Sequence, residues 1–422
     1  MAVTAVLIGG SMARAADTDQ LQSSLLLYSE ENRVQAGEGI VNYTHTLKGG
    51  RVLSAGLSFD ALTGPSPNGA APSNGIQTFT RPSGSGSYTA EPGETPLDDT
   101  FKDTRISAKG NYSLPFGRLT TVDFGGHFST EHDYTSVGAN LGLTRDLNRR
   151  NTTVSFSAAF SHDFVRPEGG TPVPLSIMGV SADDDELEDE FEDERGDREG
   201  SGDDTKNVID AVFGVTQVLD RQTLLRVNYS FSHSSGYLND PYKILSVVQD
   251  RTGAEPGEPV DYLYESRPDS RSKHALYSEV RRYIGGHVVN LSYRYFWDDW
   301  GINSHTVDLQ YRLPLGGAHA LQPHVRWYRQ TAADFYSSYL VESAPLPANA
   351  SADYRLAPFH ALTFGLQYFF PLAPQTNFSI GAEYYYQAGD ISPPEAFGPL
   401  SRFDLFPELK AVMIRAGLSY EF

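Results

Sequence analysis

Hydrophobic and polar positions alternate along most of this chain with a period of two residues. At its C-terminal end Val412, Ile414, Ala416, Leu418, Tyr420 and Phe422 share one parity, while Arg415, Gly417, Ser419 and Glu421 share the other. A strict two-residue period is a strand with one apolar and one wet face. The pattern recurs in paired runs. Ile106/Ala108/Gly110/Tyr112 leads through Pro115-Phe116-Gly117-Arg118 into Val122/Phe124/Gly126/Phe128, and Ile209/Ala211/Phe213/Val215 turns at Asp220-Arg221 into Leu225/Val227/Tyr229/Phe231. Leu276/Ser278/Val280 turns at Gly285-Gly286, Val307/Leu309/Tyr311/Leu313 at Gly316-Gly317, and Leu362/Phe364/Leu366/Tyr368 at Pro371-Leu372-Ala373-Pro374. With weaker runs at 21–33 and 40–47 and a last one at 410–422, sixteen strands are expected.

The connections alternate between tight turns and long polar loops at 63–100, 166–205, 234–272, 332–358 and 388–408. Short periplasmic turns, long external loops and an even strand count are the asymmetry of outer-membrane barrels. The predicted fold is therefore all-β, a transmembrane antiparallel up-and-down barrel. A soluble sandwich would also contain amphipathic strands, but long structureless loops count against a compact soluble domain. In a barrel such loops are expected to stand in the external medium. Phe422 gives the last strand the aromatic ending by which the barrel-assembly machinery would recognise it.

Composition narrows the picture. Residues 1–15 read as a signal peptide, an apolar run Ala2 to Gly10 and then Ala13-Arg14-Ala15, with a missing or truncated charged start; the barrel would occupy 16–422. Cysteine is absent, which excludes disulfides and thiolate sites. Of the net charge of −20, a net −12 falls between Asp183 and Asp204, where fourteen acidic residues meet only Arg195 and Arg198. That surface disfavours nucleic acid as a partner. The segment 166–205 is expected to be a disordered acidic external loop, with Asp183, Asp184, Asp185, Glu186, Glu188 and Asp189 as a weak trap for hard cations. His132, His162, His233, His274, His305 and His360 fall at outer strand ends; interfacial residues explain them more simply than a metal site does. No phosphate loop, G-x-S-x-G elbow or H-E-x-x-H motif is present, so neither an enzyme nor a cofactor is expected.

If the apolar parity faces lipid, the other lines the interior, where eight arginines and lysines stand against six acidic groups. Arg281, Arg294, Arg312 and Arg326 come from consecutive strands and are expected to form a neighbouring patch. Asp308 and Arg326 should face each other across strands, each nine residues from Gly317. This wall either sets the field at a constriction or fills and braces the lumen.

Asp60-Ala61-Leu62-Thr63-Gly64-Pro65-Ser66-Pro67-Asn68-Gly69-Ala70 and Tyr293-Arg294-Tyr295-Phe296-Trp297-Asp298-Asp299-Trp300-Gly301-Ile302, supported by His274-Ala275-Leu276-Tyr277 and Tyr354-Arg355-Leu356, resemble a bacterial family catalogued as domain of unknown function 3570. The resemblance spans most of the chain and implies an outer-membrane barrel without an assigned ligand. It also suggests a redox-linked envelope system, in which this chain would be a membrane conduit or scaffold. Trp297, Asp298, Asp299 and Trp300 read as an outer hairpin, with both tryptophans in the aromatic belt; alternatively, Asp298 and Asp299 help form a rim site. The turn-rich 63–69 segment should pack over or into the mouth. Two functions remain open: a porin-like channel or transport conduit for small polar solutes or ions, and a closed barrel acting as scaffold or docking partner for periplasmic or surface proteins.

Overall fold

A computed structural model describes residues 19–81, 86–98, 102–178, 202–390 and 394–422. The signal segment and Asp183 to Asp189 lie outside the described residues. Sixteen antiparallel strands close into one barrel in chain order. They are β1 (Asp19–Glu30), β2 (Gln35–Leu47), β3 (Arg51–Thr63), β4 (Lys102–Phe116), β5 (Thr120–Thr130), β6 (Tyr134–Leu147), β7 (Thr152–Val165) and β8 (Asp204–Asp220). The second half comprises β9 (Thr223–Gly236), β10 (Ser270–Ile284), β11 (His287–Asp298), β12 (Asn303–Gly316), β13 (His319–Gln330), β14 (Phe359–Ala373), β15 (Thr376–Gly389) and β16 (Leu409–Glu421).

Alternation explains the closure. The apolar parity points outward on every wall, with Leu57 62% and Phe213 49% exposed. A surface of this kind is stable in hydrocarbon, where a sheet can leave no edge unpaired. Pairing of β1 with β16 removes the last edge. Among the described residues no helix is long and apolar enough to cross a membrane. Asp19 and Phe422 exchange backbone hydrogen bonds of 2.9 Å at the tight-turn end. Tyr43, Tyr420 and Phe422 gather there, with ring centroids 6.4 and 5.2 Å from Phe422. One turn differs from expectation. β14 continues to Ala373 and reverses at Pro374-Gln375, because a register shift between Pro371 and Ala373 carries the strand through its proline.

The long loops do not stand free. Ile244–Val248, Pro259–Tyr264 and Leu340–Val341 form a three-stranded sheet separate from the barrel sheet. Phe79, Leu245, Val248 and Leu400, from three different loops, are fully buried. Ile244 N–H donates to Asn68 O at 3.0 Å and Ala71 N–H to Ser246 Oγ at 3.0 Å. These loops rise from β3/β4 and β9/β10, six strand positions apart on a ring of sixteen, so their meeting draws them across the mouth. The loop after β13 joins the same core through Ala350 and Ala352, which pack on Leu245. The 63–69 turn takes part as expected: Asn68 is buried, accepts from Ala70 N–H at 2.8 Å and donates to Tyr88 Oη at 2.9 Å. The loop after β7 contributes Met178 to this core, so the part of 166–205 next to β7 is packed. The barrel thus carries a folded cap with its own apolar core.

Candidate functional site

The inward parity builds the wall. Along β10 to β13 the registers place Tyr277, Arg294, Thr306 and Tyr328 in the outermost of four successive rows. Below it lie Glu279, Ser292, Asp308 and Arg326, then Arg281, Asn290, Gln310 and His324, then Tyr283, Val288 and Arg312. Rows two residues apart are separated by about 7 Å along the strand. The four arginines expected as one patch are therefore staggered, one to a row: neighbouring strands run antiparallel, and adjacency in sequence order does not fix height.

Their partners differ as well. Arg326 Nε lies 2.8 Å from Asp308 Oδ2, confirming the expected cross-strand pair. An Arg281 guanidinium nitrogen is 3.5 Å from Glu279 Oε1. Arg294 rests 5.7 Å from the Phe296 ring and Arg312 4.0 Å from the Phe369 ring. Neither has a carboxylate within 4.0 Å among the described residues.

Asp308 continues into a chain of charges. His324 Nε2 is 2.8 Å from Asp308 Oδ2, and His324 Nδ1 is 3.0 Å from Glu383 Oε1. Arg415 closes the chain at 2.7 Å from Glu383 Oε2. His324 on β13 reaches Glu383 on β15 only by crossing β14, and the residue between them is Gly365. A Cβ there would stand 2.7 Å from Glu383 Cγ. Gly138 likewise makes room for His127, whose Cε1 would lie 2.3 Å from an added Cβ. Long polar side chains therefore lie flat across glycines instead of projecting toward the axis.

The cap is held by a second, buried set of charges. Asp353, 1% exposed, accepts from Arg267 at 2.8 Å and Arg355 Nε at 2.7 Å. Arg355 also reaches Asp240 Oδ2 at 2.5 Å, and Arg267 reaches Glu265 Oε1 at 2.6 Å. Lys243 donates to Pro67 O, tying the loop after β3 to the same node. Against the desolvation of burial, Arg355 and Arg267 hold the Asp353 carboxyl far below its usual range. Burial pushes Glu265 up to about 7 against the opposing pull of Arg267. Because that value lies above the ordinary 4.5, the contribution of Glu265 to cap stability is complete below 4.5 and is lost as pH rises through about 7. Cap protection in hydrogen exchange is accordingly expected to fall between pH 5 and 8, and Glu265→Gln should flatten that fall. An unchanged slope in the variant would contradict the assignment.

The tryptophan–aspartate motif divides at the turn. Trp297 points outward into the aromatic belt, stacked 5.2 Å from His274 and 5.4 Å from Tyr295. Trp300 does not join it. It is 4% exposed, sits 5.0 Å from Phe335, and its indole N–H donates to Ser270 O at 2.8 Å. Asp298 accepts from Arg271 Nε at 2.9 Å, Trp300 N–H at 3.1 Å and Ile302 N–H at 2.9 Å. Asp299 accepts from Ser272 N–H at 2.8 Å. Both carboxylates bind the protein's own donors. Of the rim histidines, His162, His233, His274, His305 and His360 share the outward parity of their strands, whereas His132 lies in the β5–β6 turn, 3.8 Å from Glu168.

One rim cluster had no sequence signal. Asp103, Glu131 and Asp133 bring carboxylate oxygens within 4.8 Å of one another, from segments that the register alone brings together. Tyr242 Oη donates to Asp133 at 2.5 Å, and Arg105 lies 3.8 Å from Glu131.

The barrel, its cap and the rim turn are the context in which the family comparison is decisive, because the match runs over residues 2–422 to the family described as protein of unknown function (DUF3570). The chain belongs to the DUF3570 family. This DUF3570 barrel has the architecture of outer-membrane proteins. Among solved structures it is similar to the ferric enterobactin receptor PfeA, at 9% identity and a TM-score of 0.46, over 95% of this chain and 60% of that one. It is similar also to the siderophore receptor PirA from Pseudomonas aeruginosa, at 11% identity and a TM-score of 0.41, over 96% of this chain and 63% of that one. The outer membrane protein opdK from Pseudomonas aeruginosa matches at 8% identity and a TM-score of 0.38, over 96% of this chain and 99% of that one. The DUF3570 chain thus spans about 60% of the length of the two receptors. No curated protein matches it.

Proposed function

We propose that this DUF3570 protein is a bacterial outer-membrane conduit for small polar solutes or ions, closed at its outer mouth by the loop cap. The observation that carries this reading is the flat polar wall, in which Glu383 lies across Gly365 and keeps its charge at the margin of the lumen. Barrels of about sixteen strands are wide enough for an aqueous channel when side chains do not fill them. Arg294 and Arg312, without carboxylate partners among the described residues, favour anionic or zwitterionic solutes. Insertion would use β16 and Phe422. The experiment is ion selectivity in planar bilayers. Arg294→Ala is expected to shift selectivity toward cations, and a conducting barrel whose selectivity ignores that change would overturn the role of the wall.

The packed cap also favours a second reading, a closed barrel that docks periplasmic or surface proteins. A barrel that stays silent after its cap is released would favour it.

A further inference from the structure

We propose that the outward face of β12 to β14 carries a docking site for the phosphate group of an outer-leaflet lipid, built by Arg329 between His305 and His360. Arg329 pairs across strands with His305 on one side and His360 on the other. All three share the parity of the lipid-facing Val307, Val325 and Phe364. They lie one row beyond Val307, Trp327 and Leu362, toward the cap end. Cross-strand Cβ atoms are about 5 Å apart, so the three side chains stand side by side in one row with the guanidinium of Arg329 in the middle.

The Arg329 side chain is exposed and has no ion pair or hydrogen bond among the described residues. A lipid-facing arginine is costly at mid-membrane and costs little near the interface. Its place at the outer strand end and its missing partner both call for an anion at headgroup height. A guanidinium meets phosphate in bidentate fashion, which a lysine does not reproduce. Tyr293 Oη lies 2.7 Å from His305 Nδ1, which leaves Nε2 as the free ring nitrogen. Tyr295, 5.1 Å from the same ring, supplies the aromatic flank of an interfacial site. Lys410 is a contrast within the same barrel: outward near the outer end of β16, it is held 3.8 Å from both Glu31 and Glu408.

The inference rests on the outer-membrane placement, and the test separates the two. Full-length refolded barrel in micelles is titrated with a bisphosphorylated lipid A and with the same lipid stripped of phosphate, and bound lipid is counted by native mass spectrometry. Binding of the phosphorylated lipid is expected to weaken about tenfold in Arg329→Gln, the loss of one charge-assisted donor group. His305→Gln and His360→Gln should weaken it less, and Lys410→Gln should leave it unchanged. Equal binding of the dephosphorylated lipid, or wild-type binding by Arg329→Gln, overturns the site. Displacement by millimolar inorganic phosphate would mean a free-anion site and overturns the lipid source. Insertion into vesicles is scored separately by protease protection: failure to insert overturns the membrane placement itself.

Discussion

Asp353→Ala is expected to release the loop cap and turn a quiet barrel into a steadily conducting one. The carboxylate is buried between Arg267 and Arg355 and accepts Arg355 N–H at 3.0 Å as well. Its removal leaves two guanidinium groups enclosed with fewer partners. Breaking a buried pair from one side costs about 3–5 kcal/mol, far more than the pair adds to stability relative to an apolar replacement. That loss falls on the cap and not on the barrel, whose ladders do not involve residue 353. Hydrogen exchange should therefore speed up at 244–248 and 259–264, while the sixteen strands keep their protection. Asp353→Asn retains acceptor capacity and should be milder. Equal protection of the cap in wild type and Asp353→Ala would contradict this reading of the node.

Asp298→Ala is the second large effect. The side chain is fully enclosed, caps the turn through Trp300 and Ile302, and neutralises Arg271, whose guanidinium lies 4.2 Å over the Trp300 ring. The substitution removes the ion pair and two turn hydrogen bonds together, again about 3–5 kcal/mol. Trp300, Ile302, Ala333 and Leu356 form one apolar cluster, so the damage should spread from the β11–β12 turn into the loop after β13. Intrinsic tryptophan fluorescence is the readout, with a red shift expected as Trp300 becomes wet. Trp297→Phe, which alters only the outward belt, should leave cap exchange unchanged. A blue-shifted, protected Trp300 in Asp298→Ala would refute the structural role of the motif.

The strands were legible because each carries its own signal. Val307, Leu309 and Tyr311 alternate with Asp308, Gln310 and Arg312, and alternation needs no knowledge of the partner strand. The Asp308–Arg326 pair followed from the same periodicity plus one turn. The cap was not legible for the opposite reason. Phe79, Leu245, Val248 and Leu400 are scattered through polar, turn-rich sequence, and each packs on residues of at least one other loop. One signal was available: Ile244-Leu245-Ser246-Val247-Val248 is a short apolar run, the pattern of a strand buried on both faces. Trp297 and Trp300 look equivalent in the sequence, yet the turn between them sends one to the outward face of the barrel and the other into the cap. The His324–Glu383 bridge depends on a glycine in a third strand, which no local pattern reveals.

The most direct test of the account is single-channel recording of the refolded Asp353→Ala barrel beside wild type in planar bilayers. The conduit reading predicts rare, brief openings from wild type and steady current from the variant. A correctly folded Asp353→Ala barrel with a released cap and no current would contradict it.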